Sequence, residues 1–131
     1  MKLISFVVPC YNSQAYMKNC IDSLLAGGDD VEIIIVNDGS TDVTLKIAKT
    51  YRANFPNIVK VIDKPNGGHG SGINYGLKEA EGLYFKVVDS DDWLDTDALA
   101  KLIATIKSHI SAGQLPDLYL SLIHISEPTR H

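Results

Sequence analysis

Four short apolar runs, each followed by polar residues or glycines, constrain the fold of this chain more than any other feature of its sequence. The runs cover residues 3–8, 31–36, 58–62 and 83–88, and β-branched and aromatic side chains dominate them. Segments with the apolar spacing of amphipathic helices lie between them. Strands that are apolar throughout and alternate with helices are typical of a parallel sheet covered by helices on both faces. The sequence therefore predicts an α/β fold, a three-layer sandwich with a mainly parallel sheet.

The ends of the helices are predicted from capping and helix-breaking residues. We expect the first helix to follow an N-cap at Asn12 or Ser13, and the fourth to be capped by Asp95 or Thr96. The second should close before Pro56. The third is expected to be short, to begin near Ile73 after a glycine-rich loop, and to end before residue 82.

The length of 131 residues fits one domain, but the last part of the chain lacks the alternation of strand-like and helix-like segments seen before it. Residues 1–114 are predicted to form the α/β domain. Residues 115–131 are predicted to be a tail that is not native, because residues 121–130 resemble translated cloning or adapter sequence. The alternative is a native fifth strand over residues 118–125. No function is inferred from this tail.

Composition excludes several classes of protein. Twelve basic against sixteen acidic side chains give a net charge of −4, which argues against a nucleic-acid binder. The apolar runs are far shorter than the roughly 20 residues of a membrane-spanning helix, and the start of the chain does not read as a signal peptide. Two cysteines, Cys10 and Cys20, make no disulfide framework, so a reducing, cytoplasmic location is expected.

The polar clusters after the four strands are where chemistry is expected. They cover residues 9–13, 37–42, 64–71 and 89–93. In an open parallel sheet, ligands bind beyond the carboxyl ends of the strands. We therefore expect these four segments, although far apart in sequence, to meet at one edge of the sheet.

The acidic cluster gives the most specific chemical prediction. Asp89 and Asp91 flank Ser90 where the fourth apolar run ends, and paired carboxylates of this kind suit Mn²⁺ or Mg²⁺ and leave room for substrate phosphates. The alternative role for both is turn formation or capping. Asp95 and Asp97 are interpreted as helix caps only.

The glycine-rich loop, residues 66–72, allows a ligand to approach its backbone closely, and its amides could meet negative charge. It matches neither the P-loop nor the dinucleotide-binding spacing of glycines. His69 has no companion at metal-ligand spacing, and no Ser/His/Asp or Cys/His set indicates covalent catalysis. Asp38 has two open interpretations from the sequence, a functional residue or an Asx turn with Gly39.

Four motifs in order give the chain a family resemblance. They are Val-Val-Pro-Cys-Tyr-Asn at 7–12, Ile-Ile-Val-Asn-Asp-Gly-Ser-Thr-Asp at 34–42, the segment from Asn-Gly-Gly at 66–68 to Asn-Tyr-Gly-Leu at 74–77, and Val-Asp-Ser-Asp-Asp-Trp at 88–93. Over residues 2–110 the chain resembles the N-terminal, nucleotide-binding half of a family 2 glycosyltransferase with the GT-A fold. That half is Rossmann-like. The resemblance implies a nucleotide-diphosphate sugar donor, a divalent metal ion, and sugar transfer with inversion.

The resemblance also implies roles for individual residues. Pro9, Tyr11 and Asn12 would line the nucleotide pocket, and Asp38 would hydrogen-bond the base, expected to be uracil. The loop at residues 66–68 (Asn66, Gly67 and Gly68) would close over base and ribose. Asp89 would contact the ribose or sugar, and Asp91 would bind the metal, with Asp89 as a second candidate ligand. Ser71 and Ser90 complete the predicted nucleotide-sugar site.

The chain departs from the family pattern at two places. Family members often carry Ala-Arg-Asn where this chain has Gly72-Ile73-Asn74, which removes an arginine from the donor site. Nothing after Ile110 matches the acceptor half, so no catalytic base is assigned. We therefore expect a truncated enzyme that binds the donor and has little or no transfer activity. Its full-length parent would work in cell-surface or exopolysaccharide synthesis, in the cytoplasm or at the inner face of the membrane.

Two rival classes of function remain open on sequence. One is a phospho-receiver-like signalling module, which shares the doubly wound sheet and carboxylates at strand ends. The other is a non-catalytic interaction domain whose exposed sheet edge pairs with another copy of the chain.

Overall fold

The computed structural model describes residues 1–113 and 125–126. Within them the strands are β1 (Ile4–Cys10), β2 (Val31–Asp38), β3 (Val59–Lys64), β4 (Tyr84–Val87), β5 (Trp93–Leu94) and β6 (Ile125–Ser126). The helices are α1 (Met17–Leu25), α2 (Thr44–Asn54), α3 (His69–Glu79) and α4 (Thr96–Ser111).

The main sheet is parallel throughout, in the order β3-β2-β1-β4. Its register pairs Cys10 with Asn37 and Asp38 with Lys64, so three of the strands end close together. The short strands β5 and β6 pair in an antiparallel manner outside this sheet. The predicted α/β class with a mainly parallel sheet is confirmed.

Helices cover both faces of the sheet, because the central strands are apolar on both. The larger core contains Phe6, Ile33 and Ile35 from the sheet and buried side chains of α1, α2 and α4. The opposite face carries Val7, Ile34 and Val36. On that face α3 packs against β1 and β2.

Helix α3 lies unusually close to the sheet. A Cβ added to Gly76 would come within 2.4 Å of Val7 Cγ1, and one added to Gly72 would lie 3.6 Å from Pro9 Cβ. A glycine at position 76 therefore brings the helix backbone close to β1, since any larger residue would overlap the strand.

Several predicted element boundaries were wrong. The strand β1 extends through Pro9 to Cys10, two residues beyond the apolar run at 3–8. Proline has no N–H to donate, but β4 ends beside Val7, so Pro9 has a strand neighbour only on the β2 side. Helix α3 begins at His69, four residues earlier than expected, and takes in the second part of the glycine-rich loop.

The N-cap prediction for α1 was also wrong. The N-cap position is Tyr16, which makes no side-chain cap. The carbonyl of Ser13 instead accepts hydrogen bonds from the amides of Tyr16 and Met17. At α4 the prediction was right, because Asp95 accepts hydrogen bonds from the amides of Asp97 and Ala98.

The predicted tail at 115–131 and the alternative strand at 118–125 lie outside the described residues, except for the two residues of β6. Cys10 and Cys20 are free and buried, and burial raises the pKa of the Cys10 thiol to about 12. No helix within residues 1–113 combines the length and apolar content needed to cross a bilayer.

Candidate functional site

The segments that follow β1 to β4 lie at the carboxyl edge of the sheet, and hydrogen bonds join them in series. This arrangement follows from the parallel register, since parallel strands that end together place their loops side by side. All of the predicted site residues lie at the ends of these strands, in the segments that follow them or in the first turn of α3.

The segment after β1 is joined to the segment after β2 through Asn12. The Asn12 side-chain oxygen accepts a hydrogen bond of 2.8 Å from the Thr41 amide, and the Asn12 amide donates one of 3.0 Å to Ser40 Oγ. Asn12 has a φ of +48°, a conformation that asparagine tolerates better than most residues. The neighbouring Tyr11 is exposed. Asn12 thus fixes the shape of one side of the predicted nucleotide pocket.

A buried pair of serines joins the segment after β1 to the segment after β4. Ser13 Oγ lies 2.9 Å from Ser90 Oγ, and both side chains are buried. The Ser13 amide donates to Thr44 Oγ1 at 2.8 Å, at the start of α2. Sequence reasoning missed this role of Ser13. Its partner is 77 positions away, and nothing in the local sequence indicates the pairing.

Asp38 joins the end of β2 to the glycine-rich loop. Its Oδ1 accepts a hydrogen bond of 2.7 Å from the Gly67 amide, and its Oδ2 accepts one of 3.0 Å from the Gly68 amide. The same Oδ1 accepts a hydrogen bond from Lys64 Nζ at the end of β3. Burial raises the pKa of Asp38, but the Lys64 ammonium and the two amides outweigh it and hold that pKa below its ordinary value. Asp38 is therefore an ionised, buried carboxylate.

Two glycines allow this contact between the loops. Gly39 has a φ of +68°, and a Cβ there would lie 2.6 Å from the Asn66 nitrogen. Gly68 has a φ of +90° just before α3 begins. Glycine is the residue that adopts such angles without steric cost. Ser71 follows in the first turn of α3 and is half-buried.

The acidic cluster after β4 forms a compact group of carboxylates. Oxygen atoms of Asp89, Asp91 and Asp92 all lie within 4.8 Å of one another. A hydrogen bond of 2.9 Å from the Asp92 amide to the Asp89 carbonyl closes the turn that gathers them. Asp91 is exposed, Asp89 is half-buried and Asp92 is buried. Carboxylate oxygens at this spacing fit a hard divalent cation such as Mn²⁺ or Mg²⁺.

Two residues of this edge were missed at the level of sequence. Asp92 was seen as part of the acidic run but was not assigned to the metal group. Lys64 was placed at the start of a loop, whereas it ends β3 and contacts Asp38. The sequence shows only a single lysine at the end of an apolar run. Its contact with Asp38 can be inferred only when the strand beside β3 is known.

Comparison with known proteins gives a consistent result. The family model described as "Glycosyl transferase family 2" matches residues 5–121. The hyaluronan synthase of Pasteurella multocida is 42% identical over 98 residues, which are 74% of this chain and 10% of that protein. An uncharacterized glycosyltransferase of Bacillus subtilis, EpsJ, is 42% identical over 101 residues, 76% of this chain and 29% of that protein.

Solved structures show the same fold. The crystal structure of S. aureus TarS 1-349 in complex with UDP-GlcNAc is 38% identical, with a TM-score of 0.70, and the match covers 84% of this chain and 32% of that one. The mannosyltransferase PcManGT from Pyrobaculum calidifontis, in complex with GDP-Man and Mn²⁺, is 21% identical with a TM-score of 0.69 and shares the fold. The chain spans about a third or less of the curated relatives it matches.

Proposed function

Because the chain belongs to glycosyltransferase family 2, we propose that the carboxyl edge of its sheet binds a nucleotide-diphosphate sugar, with a uridine diphosphate sugar as the donor. The observation that carries the proposal is that this one edge holds both a buried, ionised Asp38 and a compact group of three carboxylates. The first suits a nucleobase, and the second suits a metal-bound diphosphate.

The nucleotide end of the proposed site is built around Asp38. An ionised carboxylate only accepts hydrogen bonds and offers about four acceptor positions. Three hydrogen bonds to Asp38 come from Lys64, Gly67 and Gly68. The remaining position would accept the imide N–H of uracil and would disfavour cytosine, whose corresponding nitrogen is itself an acceptor. Pro9, Tyr11, Asn12, Asn66 and Ser71 would line the rest of the pocket. TarS, whose structure with UDP-GlcNAc is known, supports a uridine nucleotide.

The diphosphate end of the proposed site is the acidic group. Asp89 and Asp91 would hold Mn²⁺ or Mg²⁺, and the buried Asp92 lies close enough to join or support them. A metal ion bound there would neutralise negative charge on the departing nucleoside diphosphate. Ser90 and Asp89 would contact the ribose or the sugar.

For the parent protein we propose transfer of the sugar to an acceptor with inversion, in cell-surface or exopolysaccharide synthesis. The site of action would be the cytoplasm or the inner face of the membrane, and two free, buried cysteines agree with a reducing compartment. No catalytic base is assigned among residues 1–113, so for this chain the proposal is donor binding. The phospho-receiver alternative is set aside because the chain belongs to a different family. Pairing of two copies through an exposed sheet edge stays a prediction.

Titration calorimetry with UDP and MnCl₂ tests the proposal. We expect wild-type protein to bind UDP in the presence of Mn²⁺, and Asp91→Ala to bind it at least tenfold more weakly. Asp97→Ala is the matched control, because Asp97 is an exposed acid in the first turn of α4, outside the carboxylate group. Absence of metal-dependent binding by the wild type, or an equal loss in both variants, would contradict the proposal.

A further inference from the structure

We propose that Lys64 is a positioning residue for the donor base: it holds Asp38 and the loop at residues 65–68 in the arrangement that receives the base, without contacting the donor itself. The inference rests on the proposed function and extends it to a residue on the neighbouring strand.

Protein encloses the ion pair between Lys64 and Asp38 almost completely. Lys64 and Asp38 are register partners at the ends of β3 and β2. The Lys64 side chain is 4% exposed and that of Asp38 is 9% exposed. A buried lysine is stable only when it is paired, and a buried carboxylate has the same need. Each of the two buried groups is therefore the partner that offsets the burial of the other.

The Lys64 ammonium contacts three different segments of the protein. It donates a hydrogen bond to Asp38 Oδ1 and one of 2.7 Å to the Pro65 carbonyl. Its Nζ lies 5.7 Å from the centre of the Tyr75 ring of α3, within cation–π range. Lys78 Nζ, also on α3, lies 5.9 Å from the centre of the same ring. The ammonium thus contacts the end of β2, the start of the loop and α3.

The contacts of Asp38 and Lys64 also hold the loop at residues 65–68 in place. Asp38 accepts hydrogen bonds from the Gly67 and Gly68 amides, and Lys64 donates to the Pro65 carbonyl. The ion pair therefore fixes residues on both sides of Asn66. The charged group that faces Asp38 from β3 is Lys64, and the loop before α3 presents neutral amides.

Loss of Lys64 has a chemical consequence that a change in packing alone would not have. Without the ammonium, burial of Asp38 acts against two amides only, so the Asp38 pKa rises. As pH falls through that raised pKa, Asp38 takes up a proton and its oxygens no longer accept every bond that holds the loop and the base. A positioning role therefore predicts a loss of affinity that grows as pH falls.

The test measures UDP affinity in MnCl₂ by calorimetry between pH 5 and pH 8 for wild type, Lys64→Met and Lys60→Met. Lys60 is the matched control: it lies on the same face of the same strand and pairs with the other buried carboxylate of β2, Glu32. Affinities are compared as ratios to the wild type at each pH, because the titration of UDP and of the acidic group is common to all three proteins.

We expect Lys60→Met to keep a ratio near one at every pH. We expect Lys64→Met to bind UDP at least tenfold more weakly than wild type at pH 5 and to recover towards wild type at pH 8. Near-UV circular dichroism confirms folding, and Lys64→Gln, which keeps a hydrogen-bond donor without the charge, replaces Lys64→Met if the latter does not fold. A folded Lys64 variant whose ratio is near one, or constant with pH, overturns the inference and leaves the proposed function intact. Absence of UDP binding by the wild type overturns both.

Discussion

The two ends of strand β2 carry the same kind of ion pair in different surroundings. Asp38 at the carboxyl end and Glu32 at the amino end lie on the face that α3 covers, and each pairs with a lysine of β3. Each also accepts a backbone hydrogen bond from a segment that flanks α3. Asp38 receives the amides before the helix, and Glu32 receives the Glu81 amide after it at 2.6 Å.

The surroundings of the lysines differ. The Lys64 side chain is 4% exposed, whereas that of Lys60 is 38% exposed. Lys60 Nζ lies 3.1 Å from Glu32 Oε2, and it also donates a hydrogen bond to the exposed Glu81 carboxylate. The Lys60 end of its pair is therefore open to water, whereas the Lys64 end is almost fully enclosed by protein.

The carboxylates differ as well. Glu32 Oε1 accepts a hydrogen bond of 2.6 Å from the Ser5 hydroxyl, which in turn accepts the Gly82 amide at 2.7 Å. Ser5 is a neutral side-chain donor to Glu32, whereas the side chain that donates to Asp38 is Lys64. The same type of ion pair thus has an open, partly solvated form at one end of β2 and an enclosed form at the end where the donor site is proposed.

The largest expected effect is a difference in the free energy of unfolding between variants of the two lysines. Lys64→Met should lower the free energy of unfolding by about 3 kcal/mol, because it leaves a buried carboxylate without its counter-charge. Lys60→Met should lower it less, by about 1 kcal/mol, because Glu32 keeps two short hydrogen bonds, from the Ser5 hydroxyl and the Glu81 amide, and the Lys60 end of that pair is open to water. Urea denaturation at pH 7 measures both. Equal losses would mean that the two ends of β2 are energetically alike.

The second expected effect is a loss of folding stability at low pH. Burial raises the pKa of both acids, but their hydrogen bonds and lysines outweigh it, so both values lie below the ordinary 4.5 for Glu32 and 3.8 for Asp38. A lowered folded-state pKa contributes stability above the unfolded value, and this stability is lost as pH falls through the folded value. The free energy of unfolding should therefore decrease as pH falls below about 4.5.

The variant Glu32→Gln assigns that decrease to one end of β2. It should lose a smaller part of its stability on acidification, and the remaining loss should begin at lower pH, because aspartate titrates below glutamate. Asp42, whose pKa is also lowered, contributes to both proteins alike. Urea denaturation between pH 3 and pH 7 gives the two curves. Parallel curves over this range would show that Glu32 is not part of the acid sensitivity.

The smallest effect is expected for the exposed ion pair between Lys60 and Glu81, beside Glu32. The Glu81 side chain is 73% exposed, and its carboxylate lies 3.1 Å from Lys60 Nζ. Glu81→Gln should change the free energy of unfolding by about 0.5 kcal/mol or less, as exposed ion pairs contribute little. The backbone bond from Glu81 to Glu32 is kept in this variant. A loss above about 1 kcal/mol would show that the exposed acid is needed to hold Lys60.

The sequence predicted the strands and the edge of the sheet at which the polar clusters meet, because both depend on local patterns. Apolar runs of strand length located β1 to β4, and the polar clusters after them marked the carboxyl edge. The strand ends were less accurate: β2 continues through Asn37 and Asp38, although polar residues had suggested a turn. These two residues remain in the strand because their partners, Asp63 and Lys64, lie on β3.

Contacts between segments that are distant in the chain account for the features that the sequence did not predict. The Ser13 hydroxyl was expected to cap α1, but it hydrogen-bonds to Ser90. Lys64 gained a role only through the strand order, which places β3 beside β2. Pairing of this kind depends on which segments meet after folding, and a single sequence carries no local pattern for it.

Attachment at both ends has a consequence for the length of α3. The helix has 11 residues, a rise of about 16 Å at 1.5 Å per residue, while β2 extends over about 20 Å from Glu32 to Asp38 at 3.3 Å per residue. One inserted residue would turn the rest of the helix by about 100° and advance it by about 1.5 Å. Only one of the two carboxylates could then keep its backbone partner. The segment from Gly67 to Glu81 thus acts as a spacer of fixed length, whose number of residues is constrained in addition to its glycines at positions 68 and 76.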